Sequence, residues 1–166
     1  YSLFQAESTR LKYCSLRLEE AKRLGYIQHN QDSEYNIKNT VRHNLESLDP
    51  QIAARRPWAL LGPLLGIDHI QRNINSLKVL IIGPRTEAEI LLYVSMGFSP
   101  ENIKGLDLIT YSDFIVKGDM HEMPFEESSF DIVIFSWVLG YSTNQQKAVK
   151  EAIKITKNEG YIGIGE

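Results

Sequence analysis

Five apolar stretches in the second half of the chain most constrain its fold: KVLIIG (78–83), IKGLDLI (103–109), FIVKGD (114–119), FDIVIFSW (130–137) and GYIGIGE (160–166). Segments of helical character separate them, with a helix predicted over 87–96, closed by Gly97, and another over 144–157. Strands that are apolar throughout and alternate with helices need cover on both faces. They therefore fold as a mostly parallel, doubly wound sheet of the Rossmann-like α/β class. Ligands of such a sheet sit beyond the C-terminal strand ends, near the point where strand order reverses. The residues to watch are Gly83-Pro84-Arg85, Asp107 with Leu108, Asp119-Met120-His121 and Ser136-Trp137.

The first half reads differently. Leu11, Cys14, Leu18 and Ala21 recur at helical spacing, so 3–24 is expected as an amphipathic helix stopped at Gly25. A second helix is expected from a cap at Asp32 or Ser33, with Ile37, Val41, Leu45 and Leu48 as its apolar stripe and Asp49-Pro50 as its end. RRPWALLGPLLGI (55–67), broken by Gly62-Pro63, reads as a poor helix. It suits a core-packing connector, or an apolar wall over a ligand with Trp58 or Arg56 reaching in. The division expected is a helical extension or lid over 1–76 and a Rossmann-like core over 77–166.

Charge and cysteine content narrow the class of partner. The 166 residues carry a net charge of -3, with ten Lys/Arg against eight Asp/Glu in 1–75 and eight against thirteen in 76–166. Neither half has the basic excess that attracts nucleic acid, so no nucleic-acid partner is expected. The single Cys14 leaves no intrachain disulfide and suits a reducing, cytoplasmic setting, where it reads as a core thiol. No stretch has the length of a membrane span. His29, His43 and His69 have no metal-like spacing, and no metal is expected.

The run GDMHEMPFEESSFDIVI (118–134) makes the resemblance specific: an acid after the third strand, Met-Pro-Phe, then Ser-Phe-Asp leading into an apolar strand. With KVLIIG before it and EAIKITKNEGYI after it, residues 77–165 resemble the core of the class I S-adenosylmethionine-dependent methyltransferases, of the type 11-like kind. The resemblance implies S-adenosyl-L-methionine as the cofactor. It implies that Asp107 accepts from the ribose hydroxyls, that Asp119 accepts from the adenine amino group, and that Met120 serves the ring through its backbone N–H and side chain. Ser136 and Trp137 would face the methionine arm or the acceptor. The chain ends directly after the fifth strand, whereas the family's sheet has seven. The chain is therefore read as a fragment, or as having an edge covered by its N-terminal helices or by a second copy in a homodimer.

The turn after the first strand departs from the family. An acid two residues before the first glycine and a Gly-x-Gly-x-Gly run are expected there, but this chain has Ile81, Gly83, Pro84, Arg85, Thr86 and Glu87. Arg85 is expected to pair with the cofactor's carboxylate, and Glu87 to replace the missing acid toward its ammonium and sulfonium. Glu87 and Glu89 both suit the positive end of a helix, where they would compete with a bound carboxylate.

A base is optional for in-line displacement at an already activated sulfonium carbon. His121 and Tyr141 are nevertheless the catalytic candidates, and Tyr111 and Asp113 are further acceptor-side ones. A nicotinamide-dependent dehydrogenase would also place Asp107 on a ribose, but Arg85 stands where its second glycine belongs. The sharper rival is a methyltransferase-like module that binds without transferring. The Asn-Pro-Pro-Tyr-type turn of many nucleic-acid amine methylases is replaced by Ser136-Trp137-Val138-Leu139, which favours a small-molecule or sugar-containing acceptor. The family resemblance also links such variants to bacterial surface-glycan synthesis.

Overall fold

The structure is a computed structural model that describes residues 2–31, 33–52 and 55–166; Asp32, one of the two expected caps, lies outside them. The parallel sheet is built from β2 (Val79–Ile82), β3 (Ile103–Asp107), β5 (Ile115–Lys117), β6 (Phe130–Ser136) and β7 (Thr156–Gly165). Its order is β5-β3-β2-β6-β7, and every neighbouring pair is parallel. All four residues of β2 are buried because it is central and covered twice. Val79 and Ile81 face a core shared with α3 (Trp58–Leu65), α4 (Asp68–Asn73) and α5 (Glu87–Ser95). Leu80 and Ile82 face the other core, which is closed by α6 (Gln145–Ile155).

The N-terminal half packs directly on this sheet. α1 (Glu7–Leu24) lays Leu11 and Cys14 against Ala88 and Leu91 of α5, which is why all nine residues of α5 are buried. Gly25, at φ 70, caps α1 in the left-handed region that a residue without Cβ adopts at least cost. Cys14 is fully buried, and burial, helped by the charge of Glu87, pushes its thiol up to about 12. At that value it is a packing group and not a nucleophile.

Three local expectations need correction. The second helix, α2, spans only Thr40–Glu46. The stretch before it forms a strap whose backbone bonds go elsewhere: Asn36 N–H to Ser33 O, and Ile37 N–H to Tyr141 O at 2.9 Å. Ile37 is consequently 49% exposed instead of lying on a buried stripe. The 55–67 segment does form a helix, α3, with Pro63 inside it, because burial of Leu61 and Leu64 in the sheet core outweighs the bond that proline removes. Trp58 is 39% exposed and does not reach the cleft described below, whereas Arg56 does. Finally, IKGLDLI is split. After β3 the chain turns at Leu108 into β4 (Ile109–Thr110), which pairs antiparallel with β1 (Gln28–His29) and ties the N-terminal half to the sheet's rim.

Candidate functional site

Strand order reverses between β2 and β6, and a cleft opens there at the C-terminal strand ends. The sheet contributes Gly83, Pro84 and Arg85 after β2, Asp107 and Leu108 at β3, Asp119 and Met120 after β5, and Ser136 and Trp137 at β6. The N-terminal half supplies the opposite wall, including Arg10, Asn36, Thr40 and Arg56. The cleft is therefore a joint product of both halves of the chain.

The turn after β2 forms without the usual glycines. Gly83 sits at φ 75, and a Cβ there would lie 2.7 Å from Val138 Cβ, so the turn can approach the end of β6 only as glycine. Pro84 fits against β3 because position 105 is also glycine; its Cγ would be 2.8 Å from a Cβ at that site. Arg85 takes φ 53, the left-handed conformation, where a second glycine was expected. Thr86 N–H closes this tight turn on Pro84 O.

Asp107 is 9% exposed. Its Oδ1 accepts from Ile109 N–H at 3.1 Å and its Oδ2 from Arg85 N–H at 3.2 Å. Burial pushes its carboxyl up to about 6 against the pull of those backbone donors.

Asp119 is more open. Burial alone would raise its carboxyl, but hydrogen bonds from Ser33, the His121 backbone and the His121 ring outweigh it and hold the group below its ordinary value. Asn36 Nδ2 of the strap also donates to it, at 3.4 Å.

Four candidates, Glu87, His121, Tyr111 and Asp113, are not brought into the cleft. Glu87 is fully buried and turned toward α1, where it accepts from Arg17 Nε at 2.7 Å and from Ser112 Oγ at 2.6 Å. The expected stand-in role does not fit that placement: its oxygens are committed on the far side of α5. Burial disfavours the charged Arg17, yet the bond to Glu87 prevails and raises its pKa. Glu87→Gln is accordingly expected to cost about 1–2 kcal/mol of stability while leaving cofactor affinity within about twofold, measured by denaturation and calorimetry.

His121 is 1% exposed and bonded at both ring nitrogens, Nδ1 to Asp119 at 2.5 Å and Nε2 to Ser142 at 2.6 Å. It locks the loop that carries Asp119 and has no nitrogen directed at an acceptor. Tyr141 does line the cleft, while Tyr111 and Asp113 do not.

The acid that α5 does present to the cleft is Glu89. It is 8% exposed, and both of its oxygens lie 2.8 Å from Ser136 Oγ, whose hydroxyl donates to them. Burial pushes its carboxyl up to about 7, with the charge of Asp107 adding to the rise and the Ser136 bond opposing it. The sequence shows Glu87 and Glu89 equally at a helix start. Which one faces the cleft depends on α1 claiming the other. Arg10, missed as well, has a legible signal: it stands four residues before Cys14, on the buried stripe of α1.

Residues 88–164 match the Methyltransferase domain family. A 64-residue stretch is 36% identical to ribosomal RNA-processing protein 8 of Caenorhabditis briggsae, covering 39% of this chain and 19% of that protein; the chain thus spans about a fifth of that relative's length. Among solved structures, a protein of Methanococcus maripaludis assigned to the S-adenosyl-L-methionine-dependent methyltransferases superposes with a TM-score of 0.55 at 21% identity. The match covers 81% of this chain and 68% of that one, and it establishes the fold. Among the described residues no helix is long and apolar enough to cross a membrane.

Proposed function

We propose that the chain, whose residues 88–164 match the Methyltransferase domain family, binds S-adenosyl-L-methionine in the cleft and transfers its methyl group to a small-molecule or sugar-containing acceptor. The observation that carries this reading is the convergence of three carboxylates, Asp107, Asp119 and Glu89, on one cleft at the topological switch point. The donor set fits the group. The Asp107 carboxylate at the end of β3 suits a ribose hydroxyl, Asp119 suits an exocyclic amine, and buried Met120 offers apolar contact for a flat base. Glu89 takes the role that residue 81 fills elsewhere in the family, as the counter-charge to the ammonium. Arg85, beside the N-terminus of α5, receives the carboxylate.

The cofactor supplies a methyl group already activated on a sulfonium. The chain's own contribution is to hold the donor and exclude water, so that an acceptor nucleophile held in line needs no dedicated base. This agrees with the engagement of both His121 nitrogens. Residues 1–76 act as the lid and acceptor-side wall, since Arg10, Thr40 and Arg56 line the cleft from that side.

Titration with S-adenosylhomocysteine tests the reading. Micromolar binding is expected, weakened at least about 100-fold by Asp107→Ala and about tenfold by Asp119→Ala. A folded chain that binds no ligand would refute cofactor binding. Binding without transfer to any acceptor class offered would instead favour the non-catalytic module.

A further inference from the structure

Three arginines, Arg10, Arg56 and Arg85, line the cleft. None is within ion-pairing distance of a carboxylate among the described residues. Arg10 is the most telling. It is 3% exposed, and its Nη1 donates to Phe4 O at 2.6 Å. Burial lowers its pKa from the ordinary value, only partly offset by the charge of Glu7. A buried guanidinium with no carboxylate within ion-pairing distance among the described residues is unfavourable on its own. An anion entering the cleft would relieve that cost.

The cofactor carries one carboxylate, and Arg85 at the β2–α5 turn is placed to receive it. Arg10 and Arg56 remain, both contributed by the N-terminal half and not by the sheet. The acids of the cleft are not ion-paired with them among the described residues: Glu89 is bonded to Ser136, Asp107 to the backbone of Arg85 and Ile109, and Asp119 to His121 and Asn36. Exposed Asp49 already accepts from Gln51 N–H at 2.8 Å.

We infer that Arg10 and Arg56 form a receiving site for an anionic group, a phosphate or a carboxylate, on the methyl acceptor. This rests on the reading that the cleft takes S-adenosylmethionine, and it deepens that reading by giving the acceptor a charge. Guanidinium groups on that wall would orient the acceptor by charge-assisted hydrogen bonds and draw it in electrostatically.

The test uses the chain saturated with S-adenosylhomocysteine, titrated in one arm with inorganic phosphate and in the other with acetate, each at constant ionic strength. Saturable binding of at least one anion is expected, weakened about tenfold or more by Arg56→Ala, a change at an exposed side chain, with S-adenosylhomocysteine affinity unchanged. Preference between the arms assigns the group as phosphate or carboxylate. Arg10→Met should abolish anion binding and raise the melting temperature of the ligand-free chain. A guanidinium retained only for packing would give the opposite thermal shift. If S-adenosylhomocysteine binds but neither anion does, or if both variants bind anions as well as the parent chain, the acceptor inference is overturned and the cofactor reading stands. If S-adenosylhomocysteine itself does not bind, the cofactor reading falls and takes this inference with it.

Discussion

Glu89→Gln is expected to stabilise the cofactor-free chain at neutral pH and, in the same variant, to weaken cofactor binding. Both effects come from one buried carboxyl. Its folded-state value is raised from 4.5 to about 7, chiefly by burial, so the native state holds a proton that the unfolded chain has released. For such a group the contribution to stability is fully present below about pH 4.5 and is lost as pH rises through about 7. Gln removes the ionisation and keeps an acceptor for Ser136 Oγ, so the variant should gain about 1–3 kcal/mol at pH 8 and little at pH 4.5. Asp107, raised to about 6, slopes the same way and is present in both chains.

Binding runs in the opposite sense, because an ammonium favours the ionised carboxyl. S-adenosylhomocysteine affinity should therefore rise with pH between about 5 and 8 in the parent chain, rise less in Glu89→Gln, and be about 10- to 100-fold weaker in the variant at pH 8. Chemical denaturation and calorimetry across that range check both halves. Loss of stability together with unchanged affinity would make Glu89 a structural group only.

Gly83→Ala should carry the largest stability cost of any single methyl addition near the cleft. The position requires φ 75, and the added Cβ would meet Val138 Cβ at 2.7 Å and Val138 Cγ2 at 2.9 Å. A Cβ is fixed to the backbone, so the end of β6 must move and not merely a flexible side-chain tip. The left-handed conformation costs about 1–2 kcal/mol for a residue with Cβ and the overpacking about 1–3, giving roughly 2–4 kcal/mol together. Val138→Gly in the same chain should recover the steric part and leave the conformational part, a non-additivity that denaturation midpoints of the four chains would expose. Additive effects would mean that the two positions do not touch.

The sheet was legible because its strands are apolar on both faces, and that property selects strand, parallel pairing and two helical layers at once. The site was legible where the fold rule applies, since strand ends can be located without knowing any contact. What escaped depended on tertiary choices. Residues 87 and 89 are two positions apart, close to opposite sides of a helix, and only the docking of α1 on α5 decides that Glu87 is buried against Arg17 while Glu89 meets Ser136. α3 violates its own propensities and forms because the sheet needs cover. The strap before α2 and the two-residue pairing of β1 with β4 have no apolar pattern to announce them. Their order comes from backbone bonds to partners about 80 to 110 residues away.

The most direct test of the central claim, that the GPRTE turn with Glu89 replaces the family's acid and glycine-rich run, is a crystal structure of the chain bound to S-adenosylhomocysteine. The account predicts the ribose hydroxyls on Asp107, the amino group within hydrogen-bonding distance of Glu89, the carboxylate at Arg85, and Glu87 still held by Arg17 and Ser112. A ligand whose amino group lies away from Glu89, or a Glu87 swung into the cleft to meet it, would contradict the account.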